Sequence, residues 1–218
     1  MSGYNYCFNN PINFIDPDGR AAFYSSNGHF IGVDADGFQG NIYIMTYTGM
    51  VGMQDANLSS RAYARIYTDV LTQGGFEVNL LQNSSVSVMN NTDTYNNPNL
   101  DASFLRGGTV EGGVRVTVNQ GADDTRRLLT TVENIQNALG VHELQGHGID
   151  GFGFDGRPHY KAYELQMSHP TWQNTTPEFR RTMLGNYLRQ MYEEIPGVSN
   201  TSRYRETFKM WQGYGDEK

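Results

Sequence analysis

A periodic apolar stripe that runs directly into a histidine cluster constrains this 218-residue chain more than any other feature. Between about 124 and 147, apolar residues recur at steps of three or four, which is the spacing of one helix face. They are Leu128, Val132, Ile135 and Leu139. The next steps along that face reach His142 and Glu143, and the sequence VHELQGHG then adds His147. We therefore expect a long helix that carries two histidines and a glutamate beside the core.

Burial of these polar side chains requires compensation, because each buried polar group without a partner costs roughly 1–3 kcal/mol. A metal ion supplies that compensation. Zinc binds neutral imidazoles, and a neighbouring carboxylate can take a proton from a zinc-bound water. We predict a Zn²⁺ site with His142 and His147 as ligands and Glu143 as the general base.

The spacing of the two histidines restricts the helix geometry. In zinc proteases the pair is usually at i and i+4, whereas His142 and His147 are five residues apart. On an ideal α-helix that places them about 140° apart. A π-bulge, with about 4.4 residues per turn, turns five residues through roughly 410° and brings the rings together. We expect such a bulge here, with Gly146 absorbing the distortion.

The segment HELQGH is similar to the zinc-binding motif of the dipeptidyl peptidase III family, His-Glu-x-x-Gly-His. The similarity covers about six residues and does not extend to that family's fold or dipeptide specificity. It implies that a glutamate on a following helix is the third ligand. The best match is Glu164, in a segment that reads as a helix over 158–168, and its rivals are His159 and His169.

Residues around the third ligand are candidates for transition-state stabilisation. His169, Tyr163 or Tyr160 could donate a hydrogen bond to the oxyanion of a tetrahedral intermediate. Asp150 or Asp155, in the turn GIDGFGFDG, could orient a ligand histidine. We therefore predict Glu143, His169 and Tyr163 as the catalytic side chains.

The remaining pattern indicates an α+β fold of the zincin-like type. The chain predicts a hairpin turning at Asn27 and Gly28, further strands near 40–47, 76–81, 85–89 and 112–121, and a loop over 90–99. Helices are expected over 62–71, from Thr176 as cap, and from about Thr201. The predicted architecture is a twisted sheet, an active-site helix near 124–147, and C-terminal helices that complete the cleft.

The segment YNYCFNNPINFIDPDGR resembles the conserved end of the core in rearrangement-hotspot (Rhs/YD-repeat) proteins. This resemblance implies that residues 1–20 end such a core and that 21–218 form a variable C-terminal domain, often a toxin delivered into a competing cell. It implies a secreted or cell-surface location, with the rest of the core and an immunity protein as partners. The matching residues are Tyr4, Tyr6, Asn9, Asn10, Pro11, Asn13, Asp16, Pro17 and Gly19.

Composition excludes several other classes of protein. A net charge of −7 and a pI near 5.1 argue against a nucleic-acid partner, which would require clustered Lys and Arg. The mean hydropathy of −0.57 and the lack of long apolar runs argue against membrane insertion. The single cysteine, Cys7, excludes an internal disulfide framework and a cysteine-based zinc site.

These patterns together predict a zinc-dependent hydrolase that cleaves a peptide or amide bond in a protein, a peptide or the peptide part of peptidoglycan. Water would take the fourth zinc position. Two alternatives remain at this stage. One is an Rhs-type nuclease toxin, and the other is a non-enzymatic module with a structural metal.

Overall fold

The computed structural model describes residues 20–78, 85–89, 105–110 and 113–216. The Rhs-like segment 1–19 and the predicted loop 90–99 lie outside this set, as do residues 79–81 of the strand expected near 76–81. Within the described ranges, no helix has both the length and the apolarity to cross a membrane. The chain is mixed α and β, as the sequence pattern predicts.

The first sheet forms from the N-terminal strands in the order β2-β1-β3-β4. The predicted hairpin joins β1 to β2, and Gly28 adopts a φ of +76° at its turn. Strand β3 pairs parallel to β1 and antiparallel to β4. The strands are β1 (Ala21–Ser25), β2 (Phe30–Val33), β3 (Asn41–Thr46) and β4 (Gly49–Gly52).

The second sheet has three described strands in the order β5-β7-β6. Strand β7 is central, parallel to β5 and antiparallel to β6. Its side chains Val116 and Val118 are fully buried, as their alternation predicts. The strands are β5 (Ser85–Met89), β6 (Leu105–Val110) and β7 (Gly113–Asn119).

Six α-helices and one π-helix are described. Ser59 and the predicted cap Thr176 both accept hydrogen bonds from the first turns of their helices. Short 3₁₀ turns cover Met53–Asp55, Pro170–Asn174 and Val198–Asn200. The helices are α1 (Ser60–Gln73), α2 (Asp123–Leu128), α3 (Val132–Ile135), the π-helix (Gln136–Ile149), α4 (Tyr160–Ser168), α5 (Pro177–Glu194) and α6 (Ser202–Asp216).

The expectation of one continuous helix over 124–147 is wrong. The chain leaves the helix after Leu128, and Thr131 caps a new one by accepting from the backbone N–H of Asn134. The break occurs because this turn pairs with the first sheet: the N–H of Ile42 donates to the carbonyl of Thr130. The apolar stripe survives the break since both helices bury it against the same core.

The helical distortion around the histidines is longer than the single π-bulge that the sequence predicts. All of Gln136–Ile149 is π-helical, so the distortion extends over 14 residues. Gly146 has no left-handed φ; its contribution is space, because a Cβ there would lie 3.1 Å from the Cβ of Ala162 on α4. The π-helix is therefore held closely against α4, and it contacts β6 and β7 as well.

Candidate metal centre

Three histidines converge where the π-helix meets the start of α4. His142 and His147 project from the π-helix, and His159 lies immediately before α4. The Nε2 atom of His142 lies 3.1 Å from Nε2 of His147 and 3.4 Å from Nε2 of His159. Among the residues that the structure describes, these three histidines form the one group of His, Cys, Asp or Glu side chains placed closely enough to hold a metal ion.

The separations of these nitrogens fit a tetrahedral zinc ion. With Zn–N bonds of 2.0–2.1 Å, two ligands at a tetrahedral angle lie about 3.3 Å apart. The two Nε2 separations given above, 3.1 and 3.4 Å, bracket that value. The five-residue spacing therefore brings the histidines together through the pitch of the π-helix, as the sequence predicted.

Hydrogen bonds at the opposite ring nitrogens fix which nitrogen each ligand presents. Nδ1 of His147 donates to the carbonyl oxygen of Phe152 at 2.6 Å, since a carbonyl can only accept. Nδ1 of His142 donates to Oε1 of Gln166 at 3.1 Å. Both Nε2 atoms of the neutral rings then carry lone pairs that face each other. Such facing lone pairs repel unless a cation lies between them, so this donor set fits a metal ion.

The environment keeps the histidines in the neutral, metal-binding form. Burial lowers the pKa of His142 well below its usual range, and the adjacent His147 and His159 lower it further. Burial also lowers the pKa of His147. Burial, His147 and the charge of Arg189 lower the pKa of His159 to about 4. All three rings are therefore uncharged at neutral pH.

A glycine-rich turn after the π-helix holds His147 in place. The N–H of Phe152 donates to the carbonyl of Gly146, and the carbonyl of Phe152 accepts from the ring of His147. Gly153 has a φ of +83°, and a Cβ there would lie 3.3 Å from the His147 ring. The turn therefore requires glycine at this position.

His159 is fixed by helix α5 and by an aromatic neighbour. The carboxylate of Glu194, at the end of α5, accepts from the backbone N–H of His159 at 3.1 Å. The imidazole stacks on Tyr163 with ring centroids 5.3 Å apart. These contacts hold the ring toward the π-helix.

Glu143 and Tyr163 are the predicted catalytic side chains that lie beside the cluster. Glu143 is adjacent to His142 on the π-helix and is 5% exposed. The ring of Tyr163 lies 4.3 Å from that of His142, centroid to centroid. Burial and the negative charge of Glu143 raise the pKa of Tyr163, although Arg189 opposes the shift. The phenol therefore keeps its proton at neutral pH and can donate a hydrogen bond.

The structure does not bring Glu164 into the cluster, whose third member is the rival candidate His159. On α4, Glu164 follows His159 by five residues, which points it about 140° away. Its carboxylate instead forms ion pairs with Lys161 and Arg203 and accepts a hydrogen bond from Tyr187.

His169 also lies outside the cluster. It ends α4, where its Nδ1 bonds to the side chain and backbone of Thr171. Its ring packs near Phe76, with centroids 6.0 Å apart. The structure therefore gives His169 a capping contact.

Sequence reasoning did not identify the groups that orient the ligands. These are Gln166, the Phe152 carbonyl and Glu194, whereas the sequence suggests Asp150 and Asp155 for this role. The sequence does contain a signal for Gln166: it follows His159 by seven residues, so the two side chains share one face of the helix. The Phe152 carbonyl is a local contact but a backbone group, which no side-chain pattern marks, and Glu194 depends on a tertiary contact.

Comparison with known proteins places the chain in a family. No curated protein and no solved structure matches it. The family model described as metallopeptidase toxin 2 matches residues 22–212, which is most of the chain. The described histidine cluster, with a glutamate next to one of its members, has the side chains that such an enzyme requires. This chain therefore belongs to the metallopeptidase toxin 2 family.

Proposed function

We propose that this domain is a zinc-dependent peptidase toxin in which His142, His147 and His159 hold the metal. Family membership supports a peptidase-type toxin. The observation that supports the ligand assignment best is the convergence of three Nε2 atoms, two of them locked as lone-pair donors through their Nδ1 hydrogen bonds.

The number of protein ligands favours a catalytic over a structural metal. Structural zinc sites are closed by four protein ligands, whereas catalytic sites have three and leave one position open. Among the described residues, three histidines form the cluster. This arrangement disfavours the non-enzymatic alternative.

The chain's own residues can carry the proton transfers of amide hydrolysis. A zinc ion bound here would supply Lewis acidity, which activates water and polarises a carbonyl. Glu143 takes the proton of the attacking water and passes it to the leaving amine. Tyr163, whose phenol is protonated, donates a hydrogen bond to the developing oxyanion.

We assign a zincin-like arrangement to this domain on the basis of its α+β composition and the HELQGH motif, similar to that of dipeptidyl peptidase III. We further propose that residues 21–218 are the cargo of an Rhs protein, delivered to a competing cell and neutralised in the producer by an immunity protein. The support for this delivery route is the Rhs-like segment 1–20 together with the toxin family. The substrate is a protein or peptide, including the peptide of peptidoglycan, and the net charge of −7 disfavours nucleic acid.

A Glu143→Gln variant tests this function. It keeps the three histidines, so we expect the zinc content to match that of the unaltered protein while toxicity in bacteria and cleavage of a mixed peptide library are lost. Glu178→Gln is the matched control, because Glu178 is exposed and pairs with Arg127 on the surface. A Glu143→Gln protein that retains full cleavage would refute the general-base role.

A further inference from the structure

We infer that Gln166 is a positioning residue for the metal centre: its side-chain carbonyl holds His142 in the tautomer that presents Nε2 to the metal. This inference rests on the proposed metal site. Gln166 is fully buried on α4, and its Oε1 lies 3.1 Å from Nδ1 of His142. Oxygen is the amide atom facing the ring, so the ring donates from Nδ1.

The pitch of the π-helix aligns the polar groups that meet α4. Asn137, His142 and His147 are spaced by five residues, so they lie along one side of this helix. The buried Asn137 amide donates to the backbone carbonyl of Gln166 at 3.1 Å and to Oγ1 of Thr171 at 2.9 Å. Asn137 therefore fixes the backbone from which the Gln166 side chain reaches His142.

The other tautomer of His142 would be incompatible with metal binding: in metal-free protein it would donate to the lone pair of His147, but it would leave Oε1 of Gln166 facing a lone pair on Nδ1. With the proton on Nε2, the N–H would point at His147, whose Nε2 lies 3.1 Å away, and no lone pair would be left for a metal. A neutral amide provides the acceptor without adding a negative charge beside Glu143. Outer-shell partners of this kind typically change metal affinity by about 10- to 100-fold.

Three variants of the full chain test the inference. Gln166→Met has a similar length but no acceptor, and we expect its zinc affinity, measured by competition with a chromophoric chelator, to fall about 10- to 100-fold. Gln166→Glu restores an acceptor and should recover most of that affinity. Gln120→Met is the matched control: it removes a buried hydrogen bond from Tyr67, 2.8 Å long, and should leave zinc affinity unchanged.

The tautomer itself provides a readout that does not depend on metal or activity. In metal-free protein, two-dimensional ¹H–¹⁵N spectra of the imidazoles should show His142 protonated at Nδ1, and Gln166→Met should lose that preference. An Nε2-protonated His142 in the unaltered protein would overturn the inference. So would unchanged zinc affinity in Gln166→Met, or equal losses in the Met and Glu variants.

Should Gln166→Met fail to fold, the tautomer of the unaltered protein still decides the question. Failure of the proposed function would instead appear as full cleavage by Glu143→Gln, with the tautomer of His142 unchanged.

Discussion

His159 and Glu164 are the two candidates for the third metal ligand, and substituting each should distinguish them. One substitution should reduce the stabilisation by zinc, and the other should reduce the stability of the metal-free protein. His159→Phe keeps an aromatic ring in position to stack on Tyr163 but removes the Nε2 donor. Glu164→Gln leaves the histidine cluster intact but weakens contacts with Lys161, Arg203 and Tyr187. We compare the thermal unfolding of both variants with and without zinc.

The expected shifts follow from binding linkage. Zinc at about 100 times its dissociation constant stabilises the folded protein by about 2.7 kcal/mol, which raises Tm by about 5–10 °C in a domain of this size. Loss of a direct ligand should weaken binding at least about 100-fold, since outer-shell partners alone cost that much. The same zinc concentration then stabilises by about 0.4 kcal/mol, a shift of about 1–2 °C.

The metal-free proteins provide the second half of the comparison. Glu164→Gln should lower the stability of the metal-free protein by about 1 kcal/mol, because part-exposed ion pairs and a neutral hydrogen bond contribute about that much. His159→Phe should not lower it through the cluster, because it removes one of the three Nε2 atoms that crowd together there. A Glu164→Gln protein that loses its zinc response while His159→Phe keeps it would refute the histidine assignment.

Three further substitutions or conditions test the packing, the electrostatics and the chemistry of the site. Gly146→Ala should destabilise the fold by about 1–3 kcal/mol in urea unfolding, because its methyl group would meet Ala162 at 3.1 Å. The control Gly213→Ala, in α6, should be neutral or stabilising, because a Cβ there contacts nothing. Equal effects of the two substitutions would contradict the close contact between the π-helix and α4. Metal-free protein should lose stability as the pH falls below about 6.5, because the histidines of the unfolded chain then bind protons while those of the folded protein do not. This difference persists down to about pH 4 at His159. A Tm that stays constant between pH 7 and 4.5 would contradict the lowered pKa values. Tyr163→Phe should reduce kcat by about 100-fold with unchanged zinc content, and an unaffected kcat would exclude Tyr163 as the oxyanion donor.

Local signals in the sequence identify the starts of helices α1 and α5. Ser59 and Thr176 cap helices because their side chains reach only three residues along the chain. The pairing of His142 with His147 was also predictable, because their spacing fits one helical pitch. In contrast, the break after Leu128 depends on a bond to Ile42, which is distant in sequence.

The third member of the histidine cluster shows why spacing alone was insufficient. His159 and Glu164 both follow His147 at distances that a turn and a helix can span. The choice depends on which face of α4 meets the π-helix, and that is set by the close approach of Ala162 to Gly146. Tyr163 and Gln166 follow His159 by four and seven residues, so the three side chains share one face of the helix. This spacing identifies the inward face only once the packing partner of the helix is known.

The coordination shell of the loaded metal tests the central claim most directly. We expect zinc K-edge X-ray absorption of the zinc-bound protein to show three imidazole nitrogens at about 2.0–2.1 Å, with their outer-ring scattering, and one further light atom. The same spectrum should be retained in Glu164→Gln and should lose one imidazole in His159→Phe. A shell of two imidazoles and a protein carboxylate, or one closed by four imidazoles, would contradict the three-histidine catalytic site.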